Sequence, residues 1–288
     1  MKLSIIIPVY NALEDLKLCI NSLLQSVNFS ITEIIAIDDC SNKETKAYLE
    51  DLSRQHADKI KVLTNTENLG FIKTCNKGIE NANGDIFVLL NSDTIIPKLF
   101  CEKIIDCFKN NNNVGIASPI SSHSSRYYLP LPLKMSLEDV NEKLSKIHNP
   151  SYPKVPSAEG FCFCIRNKTV SKIGLLDTIY NKGYHEEIDY SYRALKNNID
   201  CALIDNLYVY HKNNASFGSA KRKTYIENNT KIFEERWKDF RKNWERKNKH
   251  INPIKSIRKE FYGNKFFAFV KCENCTIIKL FSFTFKIK

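Results

Sequence analysis

Only nine glycines occur in the 288 residues, and none falls into a G-x-G-x-x-G or G-x-x-x-x-G-K-[ST] pattern. The loops that let a backbone wrap a pyrophosphate are missing, which excludes a dinucleotide-binding Rossmann site and a P-loop NTPase. The segment His185-Glu186-Glu187-Ile188-Asp189 begins like a zinc-protease motif but has Asp189 where the second histidine belongs. That excludes the protease. Long apolar runs are absent as well, since nothing approaches the roughly 20 residues that a spanning helix needs. The opening stretch MKLSIIIPVYNALEDL has too short an apolar run and no small-residue cleavage site, so no secretory signal is expected there. The ten cysteines then read as reduced thiols of a cytoplasmic protein, with Cys19, Cys40, Cys75, Cys101, Cys107 and Cys201 scattered singly. Cys272 and Cys275 form a lone C-x-x-C without the second ligand pair of a structural zinc site, and Cys162 and Cys164 alternate along a strand.

What is present suits a globular α/β protein. Hydrophobic residues make up 43% and charged residues 26%, enough for one large domain or a domain with an appendage. The first hundred residues alternate strand and helix signals: strands at 3–10, 32–39, 60–65 and 85–91, with helices at 13–26, to about 55, and at 70–82 between them. Strands separated by helices of about 12 residues imply parallel βαβ units and a doubly wound sheet. A helix at 98–109 and a strand at 114–119 continue the pattern. Residues 119–157 are then rich in Ser, Pro and Tyr, with a helical patch near 136–147. Such an excursion inside an α/β domain is expected to be a lid or binding loop. Further strands are expected at 158–167 and 201–211, with helices near 167–176 and after Gly183.

The strand ends carry the chemistry. The apolar run Ile86–Leu90 breaks into Asn91, Ser92, Asp93 and Thr94 before Ile95 and Ile96 resume. One reading of Asp93 is a cap for a helix starting near Pro97. The other is a ligand-binding carboxylate, because open α/β sheets bind ligands beyond the carboxyl ends of their strands. Pro8, Tyr10 and Asn11 end the first strand, Asp38 and Asp39 the second, and Asn68 follows the third. A carboxylate can accept from a base imide or ribose hydroxyl, an aromatic ring can stack on a base, and Asp93 could hold a divalent cation.

The stretches SIIIPVYN, IIAIDDCSN, NTENLGFIKTCNKGI, FVLLNSDTII, GYHEEIDYSYRA and YVYHKNNASF occur in order over residues 3–217. Together they resemble family-2 glycosyltransferases of GT-A fold. The resemblance implies a mostly parallel central sheet flanked by helices and a nucleotide-diphosphate sugar donor, UDP- or dTDP-linked. Tyr10 and Asp39 match the residues flanking the donor base, with Pro8 and Asn68 beside them and Asp38 toward the ribose. Asp93 matches the last aspartate of the family's D-x-D motif, which ligates Mg²⁺ or Mn²⁺. Asn91 replaces the first aspartate, and His211 is a candidate second ligand. Glu187 matches the catalytic base, while Glu186 and Asp189 are neighbours that orient the acceptor or cap the helix. Glu159 lies where the family approaches the acceptor sugar.

Net charge is +11, and residues 221–250 hold eleven Lys or Arg against five Asp or Glu. Ile226, Phe233, Trp237, Phe240 and Trp244 share one helical stripe there. Such a helix either lies on an anionic membrane surface or packs its stripe on the catalytic domain or a second subunit. No nucleic-acid motif accompanies the charge, so nucleic acid is not an expected partner. The expected organisation is a GT-A domain at 1–218 and a basic extension at 219–288. The expected activity is metal-dependent, inverting transfer of a sugar to a glycan or lipid-linked glycan acceptor, in capsule, lipooligosaccharide or related surface-glycan synthesis. The expected location is the cytoplasm or the inner face of the membrane, as monomer or homodimer. The rival from another class is a non-catalytic nucleotide-sugar-binding or assembly subunit, against which Asp39, Asp93 and Glu187 all argue.

Overall fold

The structure is a computed structural model describing residues 1–124, 126–147, 149–213, 219–247, 253–262, 267–272, 275–280 and 283–287. The chain runs β1 (Leu3–Val9), α1 (Leu13–Ser26), β2 (Thr32–Asp38), α2 (Lys43–Gln55), β3 (Ile60–Thr64), α3 (Phe71–Glu80) and β4 (Ile86–Leu90). It continues with β5 (Thr94–Ile95), α4 (Phe100–Asn110), β6 (Val114–Ser121), α5 (Leu137–Ile147), β7 (Cys162–Arg166) and α6 (Asn167–Ile173). A 3-10 turn at Thr178–Tyr180 leads to α7 (Glu186–Lys196), β8 (Asp200–His211), α8 (Ser219–Lys247) and α9 (Pro253–Tyr262). Three final strands, β9 (Phe267–Cys272), β10 (Cys275–Leu280) and β11 (Phe283–Ile287), form a separate antiparallel sheet. The side chains of Trp244, Cys272 and Cys275, and residues 214–217 of the last motif, lie outside what is described.

The eight-stranded sheet has the order β3-β2-β1-β4-β7-β6-β8-β5. Strands β1 to β4 pair in parallel, and so do β6 and β8, whereas β7 and β5 run against their neighbours. Helices cover both faces, which is why β4 is apolar at every position. Alternate residues of β4 enter different cores, as the pleat requires. Ile86, Val88 and Leu90 pack with Leu16, Ile20, Phe100 and Ile104 of α1 and α4. Phe87 and Leu89 pack with Ile72, Cys75 and Ile79 of α3. α3 sits so close to the sheet that a Cβ on Gly78 would lie 2.3 Å from Ile6 Cγ2.

The structure bears on three of these readings. Asp93 caps no helix, because α4 starts only at Phe100, after Leu99. Instead Thr94 and Ile95 pair with His211 and Tyr210, and the Lys212 N–H donates to the Asp93 carbonyl at 3.0 Å. Strand pairing overrode the capping signal. The excursion at 119–157 is not an open lid throughout: Asn141 exchanges bonds of 2.8 and 3.0 Å with the backbone of Tyr208, which anchors α5 on β8. The boundary expected at 218 precedes a helix that shares a core with the sheet, since Phe233 and Trp237 are buried in the cluster containing Tyr192. Among the described residues, no helix is long and apolar enough to cross a membrane.

Candidate active site

The carboxyl ends of β1, β2 and β4, the β5–β8 junction and the N-terminus of α7 surround a cleft of about 610 Å³. Pro8, Tyr10, Asp39, Asn68, Asn91, Asp93, Glu159, Glu186, Glu187 and His211 all line it. Asp38 and Asp189 do not.

At one wall, Tyr10 is 38% exposed, with a ring free to stack on a planar ligand. Asp39 is buried and works mainly inside the protein. Its Oδ1 accepts from Asn65 Nδ2 and the Leu69 N–H, both at 2.8 Å, and its Oδ2 accepts from the Gly70 N–H at 2.9 Å. An ionised carboxylate has about four acceptor positions, so roughly one remains for a ligand. Gly70 takes a positive φ of 82°, and a Cβ there would lie 2.8 Å from Lys182 Cα. Only glycine lets the α3 N-terminus and the 180s loop approach this closely. Lys182 Nζ, in turn, donates to Asn68 Oδ1 at 2.7 Å. The ribose role expected for Asp38 finds no geometry, because it does not line the cleft, its Oδ1 accepts from the Ser41 N–H at 2.9 Å, and its Oδ2 is buried without a hydrogen-bond partner among the described residues.

The second cluster joins Asn91, Asp93 and His211. His211 Nδ1 lies 2.9 Å from the His123 carbonyl, an atom that can only accept, so Nδ1 carries a proton. In the neutral ring that leaves Nε2 as an acceptor. Nε2 lies 3.3 Å from Asp93 Oδ1 and 3.5 Å from Asn91 Nδ2. A cation bound between Nε2 and Asp93 Oδ1 would be met by both acceptor atoms. Phe161 stacks on the His211 ring at 5.1 Å, and its carbonyl accepts from the Asn91 N–H at 2.9 Å, so the cluster is held from behind. Asp93 and His211 fit a divalent cation as a partial ligand set, one carboxylate and one imidazole oriented through its other nitrogen. Among the described residues no group of three or more His, Cys, Asp or Glu side chains is arranged to hold a metal. A bound ligand and water would therefore complete the coordination.

The third cluster is the acid pair. Glu187 packs against Gly160, whose missing Cβ would sit 3.6 Å from Glu187 Cγ, one residue from Phe161. Burial, with the Glu159 carboxylate adding to it, pushes the Glu187 carboxyl up to about 7, against backbone amides and Arg126 that favour its charge. Glu186 is raised well above its ordinary value, first by burial and then by Glu187, and its Oε2 is buried without a hydrogen-bond partner among the described residues. Two adjacent carboxylates in a partly dry site cannot both ionise easily. Asp189 is a correction: it is fully buried beneath α7 and faces α8, not the cleft. It accepts from Tyr180 Oη at 3.1 Å, Arg193 Nε at 2.9 Å and Trp237 Nε1 at 2.8 Å. Three donors make it a packing hub rather than an acceptor ligand.

The family model for glycosyl transferase family 2 matches residues 4–174, more than half of the chain. The chain belongs to glycosyl transferase family 2. Among curated relatives, a dolichol-phosphate mannosyltransferase of Pyrococcus furiosus is 34% identical over 121 residues, 41% of this chain and 33% of that protein. Glycosyltransferase AglE of Haloferax volcanii is 33% identical over 91 residues, 31% of this chain and 30% of its own. The matched stretch thus spans about a third of these relatives' length. Solved structures share the fold at low identity. GalNAc-T7 with UDP, GalNAc and Mn²⁺ has a TM-score of 0.59 at 17% identity, over 73% of this chain and 44% of that one. S. aureus TarS 1-349 has a TM-score of 0.54 at 14% identity, over 100% of this chain and 99% of that one. The fold is GT-A, as the motif order implied. Several cleft residues were not singled out by the sequence, among them Asp15, His123 and Lys182. They arrive from an α1 face and from loops, where no periodicity marks them.

Proposed function

We propose that this family-2 member transfers a sugar from a UDP- or dTDP-linked donor to a hydroxyl of a glycan or lipid-linked glycan, with inversion. The observation that carries the reading is one cleft joining an open aromatic and a carboxylate, an Asp93–His211 pair, and a carboxyl raised to about 7. Tyr10 stacks on the donor base, and the remaining acceptor position of Asp39 takes a base or ribose donor. Asp93 and His211 hold Mg²⁺ or Mn²⁺, which when bound neutralises charge on the diphosphate leaving group. Glu187 accepts the acceptor hydroxyl's proton as that oxygen bonds to the anomeric carbon. The carbon–oxygen bond to the diphosphate breaks in the same step, and the nucleoside diphosphate leaves. A base near neutrality suits this work, because a substantial fraction is ionised near pH 7 and the carboxylate is still basic enough to take the proton. The buried Glu186, whose carboxyl is pushed up by burial and then by Glu187, shapes the acceptor side. Surface-glycan synthesis at the inner membrane face fits a lipid-linked acceptor and the basic α8.

A thermal-shift screen of nucleotide sugars and nucleoside diphosphates, with and without Mn²⁺, tests the reading. A ligand at 100 times its Kd stabilises the native state by about 2.7 kcal/mol. Uridine or thymidine diphosphates should raise the melting temperature more with Mn²⁺ than without. A protein that responds to no nucleotide, or equally with and without metal, is not a metal-dependent transferase of this kind.

A further inference from the structure

We propose that Asn229, on α8, is a positioning residue for the acid pair: its side-chain amide holds the turn that delivers Glu186 and Glu187 to the cleft. This rests on reading Glu187 as the base. The residues before α7 adopt an unusual backbone, with positive φ at Gly183 (138°), Tyr184 (73°) and His185 (78°) in succession. Glycine adopts such angles readily, but tyrosine and histidine do so only where the surroundings hold them. The holding group is a single nitrogen. Asn229 Nδ2, on a residue only 3% exposed, lies 2.9, 2.7 and 2.9 Å from the carbonyls of Tyr180, Gly183 and Tyr184.

Those three carbonyls converge with like dipoles, and two N–H bonds of one amide serve all three. The neighbouring Thr230 reinforces the grip. Its hydroxyl donates to the Ile226 carbonyl at 2.7 Å, so its oxygen is left to accept from His185 Nε2 at 3.3 Å. On the far side of the acid pair, Trp237 and Arg236 of the same helix reach Asp189 at 2.8 and 3.3 Å. One helix therefore fixes both flanks of Glu186–Glu187 while none of its described side chains lines the cleft. Releasing the turn would shift Glu187 from its packing against Gly160 and undo the partial burial that raises its carboxyl.

The test compares full-length wild type with Asn229→Ala and Asn229→Ser. It measures binding of UDP with Mn²⁺, and turnover against pH with the nucleotide sugar selected by the screen above. Expected are a turnover loss of about 10- to 100-fold, UDP affinity within about twofold of wild type, and a pH midpoint moved from near 7 toward the ordinary carboxylate range. Unchanged turnover and midpoint would overturn the proposal. So would a parallel loss of UDP affinity, which marks general damage. If Asn229→Ala is unfolded by circular dichroism, Asn229→Ser decides. If both are unfolded, Asn229 is a folding residue and the proposal fails. Failure of the base reading looks different: the wild type would lack the limb near pH 7, or Glu187→Gln would keep its turnover.

Discussion

Replacing Glu187 by glutamine removes one ionisable group and almost no volume, and it should move activity and stability in opposite directions. Burial raises this carboxyl from its ordinary 4.5 to about 7. Each tenfold change in proton affinity is worth about 1.36 kcal/mol, so the ionised side chain costs the fold about 3 kcal/mol at most. Glu187 is only half-buried, and solvent screening lowers that to roughly 1–3 kcal/mol. The sign follows from linkage. A carboxyl raised in the folded state contributes its stability fully below pH 4.5, and that contribution is lost as pH rises through about 7. Glu187→Gln should therefore melt with the wild type near pH 4 but higher at pH 8. At roughly 2–4 °C per kcal/mol for a chain of this size, the gain is about 2–12 °C. Turnover should fall by about 10² to 10⁴-fold with nucleotide affinity retained, the pattern of an interaction specific to the transition state. Melting curves at both pH values and release of nucleoside diphosphate measure the two halves. Retained turnover, or a melting difference independent of pH, refutes the reasoning. Glu186→Gln should cost less turnover, because an amide resembles the neutral acid that burial, with Glu187, favours at that position.

Three further outcomes test the rest of the cleft and its support. Asp93→Asn should abolish the Mn²⁺-dependent part of UDP binding and leave the fold intact; calorimetry with and without chelator decides, and unchanged metal dependence would remove Asp93 from the metal site. Gly70→Ala places a Cβ 2.8 Å from Lys182 Cα at a φ of 82°, so denaturant unfolding should show a loss of about 2–4 kcal/mol; a neutral result would mean that the loop yields freely. Trp237→Phe keeps the ring but deletes the N–H that meets Asp189 at 2.8 Å, which should cost about 1–3 kcal/mol in the same assay, whereas no loss would show Asp189 satisfied without it.

The sheet was readable in advance because its evidence is local. Strands apolar at every position, with 12-residue amphipathic helices between them, leave few arrangements other than a covered parallel sheet. The strand-end residues were readable for the same reason, since Tyr10, Asp39 and Asp93 follow directly from where strands stop. Asp38 and Asp189 were misplaced because side-chain direction is not written in spacing. At a strand end, adjacent residues point to opposite sides, so Asp39 reaches the cleft and Asp38 turns to the Ser41 amide. On a helix, two residues of separation carry Asp189 about 200° around the axis from Glu187, onto the face that meets α8. The first case needs the register and the second the helix start.

Asn229 was illegible for a deeper reason. Its partners lie 45 to 49 positions earlier, and an asparagine on a basic helix has no periodicity to report. The physical need for it arises elsewhere, in residues 183–187, where positive φ angles and two adjacent carboxyls, one buried and one half-buried, concentrate unfavourable free energy. Such a turn persists only where the surroundings over-determine it. The sheet alone does not do so: the polar side chains that hold the turn come from α8, together with the buried faces of Phe233 and Trp237. Removing residues after 218 should therefore not yield a lighter enzyme with its site intact. The acids would gain water, relax toward ordinary carboxylate behaviour and lose their aim. A truncated chain that kept both its wild-type melting temperature and a turnover midpoint near pH 7 would contradict this dependence of the site on the C-terminal helix.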